Sequence, residues 1–113
     1  MEKLVEDLIK MNQAGEVLEL CEKYYDENIL MSSDGNIFAK SMREAYDKQR
    51  GFVEAVKEFE VKLISLKIED NIAELVFNYK ITDLDSVVNE FVGRHIQTWE
   101  SGKIIKEEYK SIN

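Results

Sequence analysis

The chain has 113 residues, 44% of them hydrophobic and 10% aromatic, with a formal net charge of -8. That size makes one domain, 1–113, with a real core and no room for a second, and the apolar content excludes a disordered chain. The acidic balance excludes a nucleic-acid partner, which needs a basic stripe against phosphate, and disfavours an anionic membrane surface.

No apolar stretch approaches the roughly 20 residues of a transmembrane helix, so no membrane partner is expected. The first ten residues, MEKLVEDLIK, are acidic and amphipathic and do not read as a signal peptide. A single cysteine, Cys21, has no internal disulfide partner and fits a reducing, cytoplasmic location.

Residues 2–25 read as helix, with Leu4, Val5, Leu8, Ile9 and Met11, then Val17, Leu18, Leu20, Cys21 and Tyr24, at helical spacing. Ala14-Gly15 interrupts the pattern and divides it into two helices. Residues 27–33 (ENILMSS) read as a short strand, Asp34-Gly35 as a turn, and residues 36–40 as a second short strand. Ser41 and Glu44 have the spacing of a capping box, which starts a third helix at Met42 running to about Val53. Everything beyond is strand. The first spans residues 55–68; the second, 72–82, puts Ala73, Leu75, Phe77, Tyr79 and Ile81 on one face. The third, 87–100, carries the only histidine and the only tryptophan; Ser101-Gly102 turns it into KIIKEEYKSI. The order predicts an α+β architecture: three N-terminal helices on one face of a curved antiparallel sheet, leaving a cone-shaped cavity between them.

Three segments, AGEVLELCEKYYDENILMSSDG, KQRGFVEAVKEFEV and HIQTWESGKIIKEEY, resemble the nuclear transport factor 2-like superfamily, and within it the SnoaL-like branch. The resemblance implies the cystatin-like cone. It does not imply one activity, because the superfamily holds isomerases, polyketide cyclases, epoxide hydrolases, dehydratases and binding proteins. Compared with the ketosteroid isomerases of this superfamily, the general-base aspartate falls on Ser32, which cannot abstract a proton unaided. The first-helix tyrosine falls on Leu8, which has no donor, and the second oxyanion donor falls on His95. Isomerase chemistry of that type is therefore not expected.

Alternation puts Asn89, Phe91, Gly93, His95, Gln97 and Trp99 on one face of their strand. Ile105, Glu107 and Tyr109 share a face of the next, so Glu107 is expected near His95 or Gln97. A carboxylate beside an imidazole orients it, and the two are candidates for an acid–base pair; the competing reading is a satisfied polar cluster in a half-buried cavity. Lys48, with Gln49 and Phe52 on the same helix, is a candidate for an anionic group, or else part of a solvated helix face. Trp99 and Tyr109 are candidates for stacking a ligand ring, or else core. Together with Gln97 and Ser32 these make up the candidate ligand site. One His and one Cys far apart match no zinc spacing, the Asp83/Asp85 pair lacks the rest of a calcium loop, and no phosphate loop is present, so no metal or cofactor is expected.

Three functions follow as expectations. The first is a pocket protein binding a small apolar or weakly polar ligand. The second is a cyclase-, isomerase- or dehydratase-like enzyme using His95 and Glu107. The third is an interaction domain without a ligand. A homodimer through the outer sheet face, carrying Val88, Val92 and Ile96 between charged residues, is expected alongside.

Overall fold

The computed structural model describes residues 1–112. In chain order the elements are α1 (Glu2–Gln13), α2 (Val17–Tyr24), β1 (Tyr25–Ser33), β2 (Asn36–Ala39), α3 (Met42–Ala55), β3 (Val56–Glu69), β4 (Ile72–Asp83), β5 (Val88–Glu100) and β6 (Lys103–Ile112). Each break has a local cause. Gly15, at φ +79, closes α1: its N–H meets the Asn12 carbonyl at 3.2 Å, and the Glu16 N–H meets the Met11 carbonyl at 2.9 Å. These two hydrogen bonds use up carbonyls that the helix end leaves free. Ser41 caps α3, its hydroxyl accepting from the Glu44 N–H at 3.1 Å. Asp34-Gly35 and Ser101-Gly102 both take positive φ at their two turn residues, as tight hairpins with right-handed twist require.

The six strands form one curved, unclosed sheet in the order β2-β1-β6-β5-β4-β3, with three helices packed on it. The four long strands pair antiparallel, as the sequence suggests. The early hairpin does not stand apart from them: β1 joins the meander by pairing parallel to β6. The sheet is therefore mixed, and β6 lies inside it rather than at an edge. Two helix–strand boundaries also differ from expectation. Tyr24 ends α2 and Tyr25 starts β1 with no loop between, and α3 passes into β3 in the same way at Ala55 and Val56.

The core lies between the helices and the concave face. α1 contributes Val5, Leu8 and Ile9; α2 contributes Leu20, Cys21 and Tyr24; the sheet answers with Ile29, Met31, Ala73, Leu75, Phe77, Trp99 and Ile104. Burying a Leu, Ile or Phe side chain stabilises by about 1.5–3 kcal/mol. Gln13 on α1 accepts the Leu63 N–H of β3 at 3.0 Å, which ties the helix to the far edge of the sheet. One expected register is corrected. Trp99 pairs with Ile104 and Thr98 with Lys106, so Ile105 is the extra residue of a β-bulge. The bulge turns Ile104, not Ile105, inward, while Glu107 and Tyr109 keep the concave face.

Candidate functional site

The helices do not fill the concave side completely. A cavity of about 670 Å³ remains, walled by Leu8, Leu20, Phe77, Phe59, Phe52 and Phe91. Its inner end is polar, formed by Asn12 of α1, Tyr25 of β1, Tyr79 of β4, His95 and Gln97 of β5, and Glu107 and Tyr109 of β6.

Strand register makes this cluster. Gln97 stands opposite Glu107, and His95 opposite Tyr109, across β5 and β6. Glu107 is 1% exposed and meets three hydrogen-bonding partners. Gln97 Nε2 donates to Oε1 at 2.8 Å, His95 Nδ1 lies 3.3 Å from the same oxygen, and the Tyr25 hydroxyl donates to Oε2 at 3.1 Å. On its other side the imidazole meets Tyr79, whose hydroxyl lies 2.6 Å from Nε2. The Asn12 amide reaches the same hydroxyl at 3.5 Å. Behind the cluster, Trp99 Nε1 donates to Gln97 Oε1 at 3.1 Å. Tyr109 presents its ring edge-on to His95, centroids 4.4 Å apart.

The phenols hold their protons. Burial raises Tyr79 above its ordinary value, and burial followed by the Glu107 charge raises Tyr25 and Tyr109 well above theirs. Burial, helped by Glu107, pushes the Cys21 thiol up to about 12, so it has no thiolate character at neutral pH. Among the described residues, no group of three or more His, Cys, Asp or Glu side chains could hold a metal ion.

The structure gathers His95, Gln97, Glu107 and Tyr109 at one end of the cavity, and Lys48 and Phe52 at its mouth. Phe52 meets Phe59 edge-on at 6.1 Å. Two candidates lie elsewhere. Trp99 is not in the cavity wall; it is buried behind Gln97 and edge-on to Tyr24 at 5.5 Å. Ser32 is not in the wall either, because alternation along β1 turns Ile29, Met31 and Ser33 inward, and it is Ser33 that lines the cavity. Three residues of the polar end, Asn12, Tyr25 and Tyr79, were not singled out from the sequence. Tyr79 was legible as an inward neighbour of Phe77, but its meeting with His95 needs the β4–β5 register. Tyr25 reaches Glu107 only through the parallel β1–β6 pairing.

No family model matches the chain, and no curated protein does. Solved structures do. An NTF2-like protein of unknown function from Burkholderia pseudomallei superposes with TM-score 0.83 at 8% identity, covering 98% of this chain and 89% of that one. A protein assigned as a SnoaL-like polyketide cyclase, from Mesorhizobium loti, gives 0.79 at 16% identity and 96% coverage of both chains. An LEH-like epoxide hydrolase from M. tuberculosis gives 0.80 at 14% identity, covering 97% of this chain and 80% of that one. The chain thus has the nuclear transport factor 2-like, SnoaL-like fold that its hairpins suggest. At these identities the likeness is one of fold, and chemistry has to be argued from the site.

Proposed function

We propose that this chain is a pocket protein that encloses one small, mostly apolar molecule in the cone, with a single polar end of that molecule set against the Tyr79–His95–Glu107 cluster. The observation that carries this is the cavity itself. A space of about 670 Å³ with an aromatic wall and one convergent polar end is the usual form of a small-molecule site. A protein using this fold only for assembly has no need of such a cavity. The test is a titration with N-phenyl-1-naphthylamine, a neutral apolar fluorophore. Saturable 1:1 binding is expected, and Val53→Trp, which adds bulk at the mouth, should weaken it. Absence of saturable binding would contradict the reading.

A catalytic reading has one specific observation in its favour: His95 sits between a carboxylate and a phenol. In that reading the imidazole exchanges protons, through Tyr79, with a ligand in the cavity. Glu107, already taken up by three partners, orients the ring rather than transferring a proton itself. Ser32 and Leu8 supply no base and no oxyanion donor to the cavity.

We also propose that two copies pack through the convex sheet face. Val76, Val92 and Ile96 stand there half-buried. Among the charges around them, Arg94 Nε lies 3.1 Å from Glu74 Oε1 but makes no hydrogen bond, and Lys80 stands opposite Glu90 in the strand register. In this reading the apolar residues carry the contact.

A further inference from the structure

We propose that the inner end of the cavity is built for a ligand carrying a hydrogen-bond donor, a weakly acidic O–H such as a phenol or enol, seated with its proton on the Tyr79 hydroxyl oxygen. This rests on the reading of the cavity as a ligand site and gives the chemical class of that ligand.

The inference comes from the direction of the protons. Gln97 Nε2–H and Tyr25 O–H can only donate to the Glu107 carboxylate. The facing oxygen Oε1 then calls for a proton on His95 Nδ1, 3.3 Å away. When the imidazole is neutral it has one N–H, so Nε2 carries the lone pair, and the Tyr79 phenol donates into it across 2.6 Å. Every proton of the network thus points towards Glu107. What the network offers the cavity is the remaining lone-pair side of the Tyr79 oxygen. Its present partner is the Asn12 amide at 3.5 Å, the outer limit of a hydrogen bond, which a ligand O–H could outcompete. A ligand whose polar end is a carbonyl finds no donor at Tyr79. Because the Tyr79 proton is already committed to His95, its oxygen is a stronger acceptor than an isolated phenol's.

Two donors stand nearby and would favour the opposite preference: the Asn12 amide and the Tyr109 hydroxyl, which also lines the cavity. The test sets the two preferences against each other. Three probes of like size are titrated calorimetrically at pH 8.5. They are 2-naphthol, a donor; 2-methoxynaphthalene, its O-methyl form; and 2-acetylnaphthalene, an acceptor only. The expected result is that 2-naphthol binds roughly tenfold tighter than either of the others, the worth of one hydrogen bond. In Tyr79→Phe that advantage should fall to within about twofold. The comparison in the unaltered protein stands alone if Tyr79→Phe does not fold. Equal binding of all three probes, or tighter binding of 2-acetylnaphthalene, overturns the inference and leaves the pocket reading standing. If none of the three binds, both fail.

Discussion

The residue on which the site turns is Glu107, because it joins three separate side chains, Tyr25, His95 and Gln97, into one network. Replacing it with Gln keeps the volume but sets an amide N–H against donors that now lack a charged acceptor. Glu107→Gln should lower stability by about 1–3 kcal/mol, the cost of leaving buried donors unsatisfied. It should also release the Nδ1–H tautomer of His95. Urea denaturation reads the first effect and ¹⁵N-correlated spectra of the imidazole read the second; an unchanged tautomer would mean that Glu107 does not orient the ring. The buried phenols predict an alkaline limit. Tyr25, Tyr79 and Tyr109 are all raised by burial, and Cys21 is raised to about 12. The unfolded chain therefore loses protons at a lower pH than the folded one. Stability from these groups is complete below their ordinary values of 9.0 and 10.0, and declines as pH rises beyond them. Each group adds a slope of about 1.4 kcal/mol per pH unit. Tyr25→Phe should make the decline shallower by one group, measured by denaturation between pH 8 and 11. Of these residues, His95 and Gln97 were legible in the sequence, because alternation along one strand puts them on one face; Glu107 comes opposite Gln97 only through the bulge at Ile105, since the two-residue turn alone would set it opposite Ile96. Tyr79 and Tyr25 were not, since their roles depend on which strands become neighbours.

At the scale of elements, helix positions and hairpins follow from local chemistry: the Ser41 cap, the Gly15 break and the Asp-Gly and Ser-Gly turns. What local chemistry does not encode is the parallel pairing of β1 with β6, between segments about 80 positions apart in the chain. Nor does it encode the bulge at Ile105: Ile104 and Ile105 are adjacent and both apolar, and only the pairing decides which of them turns inward. The Gly15 break also bears on the cavity. A Cβ there would lie 3.3 Å from the Phe59 ring at the mouth, and the position has φ +79. Gly15→Ala should cost about 1–2 kcal/mol for the left-handed backbone alone. It should also shift the Phe59 resonances. Thermal unfolding and aromatic NMR spectra check the pair; a variant as stable as the parent would show that α1 can be recapped without this conformation.

For the whole molecule, the cone and its helices were readable from element order, since early helices and a late long-stranded meander leave few ways to bury both apolar faces. Whether the cone is open was not, because openness depends on how far α1 and α3 stand off the sheet. The same scale holds the dimer. Light scattering at micromolar concentration should give about twice the chain mass of 13.2 kDa, and Val92→Lys should reduce it by setting like charges together across the axis. A mass near 13.2 kDa for the unaltered protein would leave the convex face as the amphipathic surface of a monomer. The central claim, that the cone receives a small molecule at its polar end, is tested most directly by intermolecular NOEs to bound 2-naphthol. The expected result is cross-peaks from the naphthol ring to Phe77, Tyr79 and Tyr109 of the cavity. Cross-peaks to Val76 and Ile96 of the convex face, with none to the cavity residues, would contradict it.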